Sequence, residues 1–377
     1  MPIFDVRYQE RAQRILLRAL EGGRLPHAYV FHGPPGVGKR MLADRLAMRL
    51  LCPQPRPVEP PEWAGDAFEG IDCVDACGEC PDCCTALAGT HADLHVIHRS
   101  LQEFVNDPAA RRRKGLELGV DVIRDFMINA VGKRPMRGRA KVFIIEEAER
   151  LNAPAQNAML KTLEEPPATT FIILLTRAMD RLLPTVRSRA HPVPFRALPT
   201  EFVEAKLREL RPNLPPDEVT YLARLAGGRL GAAVQYADDG IRTMKRAVGE
   251  QLARLAPQTV EDFAKVLGEQ AAAYAARIAE RDEGDDTETE THRVGLRAML
   301  AALATFYTDA LLQRTGAAAL PVNVDQPGVI EAIARRSSPR GLTNAIREIV
   351  AAESGIDRNV NVPLVLASLA IRLAECG

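Results

Sequence analysis

Gly33-Pro34-Pro35-Gly36-Val37-Gly38-Lys39-Arg40 is a phosphate-binding loop in every position but the last. It follows an apolar run, Ala28-Tyr29-Val30-Phe31, and opens a helical pattern from Met41 to Leu51. Strand, glycine loop and helix are the context this motif requires. The glycines let backbone N–H groups wrap a phosphate at a helix N-terminus, and Lys39 is expected to reach the terminal phosphate oxygens. The next residue ordinarily offers a hydroxyl to Mg²⁺. Arg40 offers a positive charge and no acceptor atom. ATP is therefore a candidate ligand whose Mg²⁺ has lost a contact.

Working outward, the flanking chain alternates short apolar runs with helical patterns. Helical spacing runs from Gln9 to Glu21 and stops at Gly22-Gly23. Beyond the loop helix, Asp93 to His98, Lys141 to Ile145, Thr170 to Leu175 and Pro192 to Phe195 read as strands, with helices over Val120 to Val131 and Pro154 to Leu163. Such alternation predicts an α/β domain, its parallel sheet covered on both faces. After Leu198 strand signals cease. Glu201 to Leu210, Asp217 to Leu225 and Gly231 to Ala237 form a small helical group, and everything from Ile241 onward reads as helix. One acidic run, 280–290, interrupts it as a solvated loop. No internal repeat is evident.

The strand Val142 to Ile145 ends in Glu146-Glu147. An acidic pair at the C-terminal end of a parallel strand beside a phosphate loop is where P-loop ATPases hold Mg²⁺ and orient the attacking water. The first position is normally Asp, and Glu146 is one methylene longer. Glu147 falls at the catalytic-base position. Arg40 and Glu146 either spoil the same metal site independently or pair with each other; both readings predict feeble hydrolysis.

Composition sets limits. At 377 residues two or three domains are expected. Forty-nine basic residues balance 49 acidic ones, so no global field points to nucleic acid or membrane. No apolar run reads as a membrane span, and the start lacks a secretory pattern. Five of the seven cysteines crowd between Cys73 and Cys84, which fits metal binding in a reducing cytoplasm. Cys77, Cys80 and Cys83 place three thiolates on one knuckle, suited to structural Zn²⁺ with a fourth, more distant ligand. Cys73 lies nearest in sequence; an iron–sulfur pattern would need a further Cys after Cys83. Two basic stretches, 111–114 and 133–141, are either solvated loops or sequence-independent DNA phosphate contacts.

The segments that combine most specifically are the phosphate loop, the acidic strand end, Asn157 to Pro167, and Ser188-Arg189 after the Thr170 strand. With Tyr8 to Arg11, Arg24 to Gly33 and the tail 357–363, they make the chain resemble the AAA+ clamp-loader family along nearly its whole length, in its delta-prime branch. The resemblance implies an AAA+ domain at 1–198 with a zinc-binding insertion near 52–91, a helical lid at 199–240 and a helical collar at 241–377. It implies a stator role in the DNA polymerase III complex that loads a sliding clamp on primed-template DNA, beside gamma/tau and delta subunits. It makes Arg189 an arginine finger for the neighbouring ATP site, and Thr176 and Arg229 nucleotide sensors, although Arg229 serves equally well as a helix cap. It points to Cys52 as the fourth zinc ligand. The family usually has Cys after the finger; here Ala190 follows. A gamma/tau-type motor would carry Ser or Thr at position 40, and a P-loop nucleotide kinase would need neither the Ser-Arg nor the knuckle.

Overall fold

In the computed structural model, which describes residues 3–111, 117–137, 139–281, 288–357 and 361–376, the chain divides into two compact units, one ending at Leu198 and one starting at Pro199. Parts of the runs 111–114, 280–290 and 357–363 lie outside the described residues.

The strands of the first unit are β1 (Ala28–His32), β2 (Arg56–Pro57), β3 (Val74–Asp75), β4 (Leu94–Ile97), β5 (Lys141–Ile145), β6 (Thr170–Thr176) and β7 (His191–Pro194). Five of them form one sheet in the order β4-β5-β6-β1-β7, with every pairing parallel. Val30 sits opposite Leu174, and Ile144 opposite Ile173. All five residues of β5 are buried, as a strand covered on both faces requires. Even Lys141 is enclosed, its Nζ donating to the carbonyls of Ala130 and Lys133, both at 2.8 Å. Because the strands are parallel, the C-terminal ends of β4, β5, β6 and β1 share one edge of the sheet. That edge is where open α/β sheets bind ligands.

Between the loop helix (Lys39–Leu51) and β4 lies the insertion: the antiparallel β2–β3 pair, 3-10 turns over Glu62–Phe68 and a short helix, Pro81–Leu87. Its apolar anchor is Phe68, edge-on to Phe4 at 4.9 Å.

The second unit has no strand among its described residues; its α-helices are Thr200–Leu210, Pro216–Ala226, Leu230–Asp238, Ile241–Ala253, Val260–Arg281, Glu288–Thr315, Pro327–Arg336, Pro339–Asp357 and Val362–Glu375. One finding corrects the sequence reading. The stretch Thr291–Thr315 is long and apolar enough by length and composition to cross a membrane, with a mean hydropathy of 1.2. Within the fold 61% of that window is buried, and Leu296, Met299, Leu303, Phe306 and Tyr307 face inward. It is the central core helix of its unit, apolar nearly all round because neighbours cover it.

Candidate nucleotide and metal sites

The phosphate loop leaves β1 at Gly33 and turns into its helix at Gly38. Gly33 has φ 141°, and a Cβ there would lie 2.4 Å from the Phe195 carbonyl oxygen. Gly38 has φ 99°, with Val6 Cγ1 2.8 Å from where a Cβ would sit. Only glycine meets both demands, a left-handed backbone and contact with a neighbouring chain segment. Gly33 N–H also donates to the Thr176 carbonyl at 3.3 Å, tying the loop to the end of β6. Behind it, buried Gln9 donates to the carbonyls of Val37 and Arg196 at 3.3 and 2.8 Å, and its Oε1 accepts from Arg196 N–H at 3.0 Å. Val37 is buried, while Pro35 and Gly36 are exposed at the tip. The first turn of the loop helix has no side-chain cap, so its N–H groups remain donors for an anion.

Lys39 curls back onto its own loop, its Nζ donating to the carbonyls of Gly33 at 2.7 Å and Pro34 at 2.5 Å. Burial lowers its pKa to about 8; nearby Arg177 pushes the same way and Glu149 opposes. Arg40 is fully engaged. Its Nε donates to Asp44 at 2.8 Å and its Nη1 to Glu146 Oε1. The pairing of Arg40 with Glu146, one of the two sequence readings, is the one the structure adopts. Glu147 is one of two described non-glycine residues with positive φ, at 46°. Its carboxylate accepts from Arg99 Nε at 2.8 Å and from Arg150 Nε at 3.2 Å. The base position is thus neutralised by two guanidinium groups. An octahedral Mg²⁺ does not fit this donor set: one ligand position is a cation, and the adjacent carboxylates are occupied by arginines.

Thr176, buried at the end of β6, exchanges hydrogen bonds with the Ala178 backbone, both at 3.1 Å. Arg189 follows the short helix Pro184–Arg187 on the way to β7, and its side chain is 35% exposed. Arg229 stands at the start of the helix Leu230–Asp238 in the second unit, its Nε donating to the Ala226 carbonyl at 2.7 Å. That contact is the helix-end role foreseen as its alternative.

In the insertion, Cys52, Cys77, Cys80 and Cys83 bring their sulfurs within 4.8 Å of one another. The Cys52–Cys77 separation is 3.6 Å and Cys77–Cys83 is 3.9 Å. A tetrahedron of sulfurs about 2.3 Å from Zn²⁺ has edges of about 3.8 Å, so the four thiols fit that ion. Backbone N–H groups of Cys77, Cys80 and Cys83 point at the sulfurs of Cys52, Cys77 and Cys80, at 3.3 to 3.4 Å. Donors of that kind favour thiolate; N–H groups of Glu79 and Cys80 lower the Cys77 pKa to about 6. Cys73 lies outside the group, its Sγ turned to the Ile71 carbonyl, and Cys84 turns to that of Glu79.

Sequence reasoning missed the groups that hold these residues. Asp44, one helical turn past Arg40, was visible from its spacing. Arg150, three residues past Glu147, was likewise open to a reading by spacing; Arg99 carried no local signal, and only the parallel topology brings it to Glu147. In the basic stretch 133–141, Arg137, Arg139 and Lys141 make contacts within the fold, while Lys133 and Arg134 are exposed. Arg137 Nε donates to Asp82 at 2.7 Å, Arg139 Nη1 to the Cys52 carbonyl at 2.9 Å, and the N–H groups of Met136 and Arg137 to Asp93. Asp82 also meets the buried His91 at 3.2 Å.

Residues 8–199 match the family described as DNA polymerase III, delta subunit, and residues 291–375 match its C-terminal counterpart. DNA polymerase III subunit delta-prime of Pseudomonas aeruginosa is 34% identical over 63% of this chain and 65% of that protein. The delta-prime subunit of Escherichia coli is 29% identical over 95% of this chain and 92% of its own length. Subunit tau of Escherichia coli is 32% identical over 68% of this chain but only 36% of tau.

Proposed function

The chain belongs to the DNA polymerase III delta-prime subunit family, and from that membership we propose that it is the fixed, non-hydrolysing member of a clamp loader. In this reading it sits in the cytoplasm beside gamma/tau and delta subunits, in an ATP-driven assembly that opens a sliding clamp and sets it on primed-template DNA. Its helical region serves as a lid over 199–240 and a collar over 241–377.

The observation that carries the reading is Arg40 bridging Asp44 and Glu146. Losing one preorganised contact in a phosphoryl-transfer site costs on the order of 3 kcal/mol of transition-state stabilisation. Here the metal ligand is replaced by a cation and the base is held by Arg99 and Arg150. In this reading the pocket holds a nucleotide phosphate through loop N–H groups and Lys39 without turning it over. Similarity to tau covers the shared ATPase architecture and does not restore position 40, which argues against the motor reading.

Arg189 is the finger offered to the neighbouring subunit, where a guanidinium offsets charge on the transferring phosphoryl group. Cys52, Cys77, Cys80 and Cys83 hold structural Zn²⁺; with four protein ligands there is no open position for catalysis. The ion staples an insertion with little core of its own.

The test is steady-state ATP turnover by the isolated chain and by a reconstituted complex. The chain alone should show no Mg²⁺-dependent turnover above background. Arg189→Ala should slow turnover at the neighbouring site of the complex, where a finger elsewhere contributes about 10³- to 10⁵-fold. Turnover by the chain alone at the rate of the complex would reject the stator role; an unaffected R189A complex would reject the finger.

A further inference from the structure

The Arg189 guanidinium is not free. Its Nη2 lies 2.7 Å from Glu164 Oε1, and its Nη1 donates to the Thr185 carbonyl at 3.0 Å and to Ser188 Oγ at 3.3 Å. Glu164 is the last residue of the helix Ala153–Glu164, where a carboxylate opposes the helix dipole and gains nothing from its own helix. That helix end is firmly placed. Leu163 is 1% exposed, and its carbonyl meets His27 Nε2 at 2.9 Å, beside the start of β1. The carboxylate is 50% exposed and Arg189 35%, so both reach solvent and a third party.

We propose that Glu164 is an intramolecular latch for Arg189, a positioning residue that occupies the guanidinium until a neighbour's terminal phosphate displaces it. The inference rests on the finger reading of Arg189. Carboxylate and phosphate compete for the same charged, planar donor. A partly exposed ion pair is weak, so the latch shifts a population without blocking the site. Every engagement of the finger must first break the pair with Glu164, and that pair sets how strongly the neighbour's site distinguishes a triphosphate from a diphosphate.

The experiment compares wild type, Glu164→Gln, Arg189→Ala and the double variant in the reconstituted complex, measuring affinity for a non-hydrolysable ATP analogue and for ADP. E164Q should tighten the analogue about 1.5- to 5-fold, the size expected from removing one exposed pair. ADP binding should not change, and the gain should vanish in the E164Q/R189A background. In the isolated chain, phenylglyoxal should modify Arg189 faster in E164Q than in wild type. If R189A weakens the analogue but E164Q leaves it unchanged or weakens it too, the latch is wrong and the finger stands. If R189A itself changes nothing, both are wrong. Equal phenylglyoxal rates would overturn the latch independently of the complex.

Discussion

Arg40 puts a cation that is already paired within the protein where a metal-dependent pocket would hold its ion. Its guanidinium is already neutralised by Asp44 and Glu146, so it competes with Mg²⁺ for those carboxylates rather than replacing the ion on a phosphate. Nucleotide affinity of the chain, measured with a fluorescent ATP analogue, should therefore be the same within about twofold in Mg²⁺ and in EDTA. Arg40→Ser returns a hydroxyl and frees both carboxylates, and its affinity should become Mg²⁺-dependent. Turnover should stay low even then, because Arg99 and Arg150 still hold Glu147. A wild-type affinity that collapses in EDTA would contradict this account. Lys39 adds a pH signature. With its pKa lowered to about 8, the free loop carries the charge below that pH and loses it above, while a bound phosphate favours the charged form. Affinity should accordingly be greatest below about pH 8 and fall as pH rises through it, by up to about tenfold per unit. A profile flat to pH 10 would mean that the lysine does not contact the anion. Gly33→Ala tests the geometry alone. With the Phe195 carbonyl 2.4 Å from the new Cβ and φ at 141°, the loop must shift, at a cost of about 1–3 kcal/mol in chemical denaturation.

At the scale of elements, the insertion and the phosphate loop are one mechanical system. Cys52 ends the loop helix, so a metal ion there anchors that helix from its far end, with Arg139 gripping the Cys52 carbonyl. The insertion also holds the N-terminus. Buried Asp75 of β3 accepts from the N–H groups of Ile3 and Ala76, Gln13 donates to the Ile3 carbonyl, and Val6 in turn backs Gly38. Native mass spectrometry should find one equivalent of zinc in wild type and in Cys73→Ser, and none in Cys52→Ser. Loss of the ion should cost about 3 kcal/mol or more of stability and loosen the N-terminal segment, read by hydrogen exchange. Retention of zinc by C52S would return Cys73 or Cys84 to the ligand set. These couplings also mark the limit of what the sequence discloses. The strands were legible because β1, β5 and β6 are unbroken apolar runs, and the cysteine knuckle because its ligands are three apart. Of the two partners of Glu147, Arg99 was not: it is 48 residues away, bonded only after β4 and β5 pair. Nor was the left-handed backbone of Glu147, since nothing in Glu-Glu-Ala demands a positive φ. The stretch Thr291–Thr315 read as helix, but its span-like length and hydropathy did not show, because scattered polar residues break its apolar run.

The whole molecule joins two units with different kinds of cohesion. The first is held by a parallel sheet and its apolar cover. The second is all helix, and in its core lies a fully enclosed cation, Lys245, with no side-chain exposure. Its Nζ donates to Asp325 at 2.6 Å and rests 4.2 Å above the Tyr221 ring and 5.1 Å from that of Phe306. Arg242 shares Asp325 and reaches Asp217 and Glu218, so three carboxylates and two cations join the helices Pro216–Ala226 and Ile241–Ala253 to the segment before Pro327–Arg336. These are the proposed lid and collar, so the cluster is what would make them a single rigid arm. Asp325→Asn keeps the shape but strands Lys245, and removing one partner of a buried pair costs about 3–5 kcal/mol. The chain offers its own reporters for locating the damage. Its one tryptophan, Trp63, lies in the first unit, whereas far-UV circular dichroism is weighted to the helices of the second. In urea, D325N should lower the circular-dichroism midpoint by about 1–2 M. The Trp63 fluorescence midpoint should stay where it is, because each unit buries its own core. A common shift of both probes would mean that the units unfold as one. If neither probe moves, water or a rearranged Arg242 has taken over the carboxylate's role.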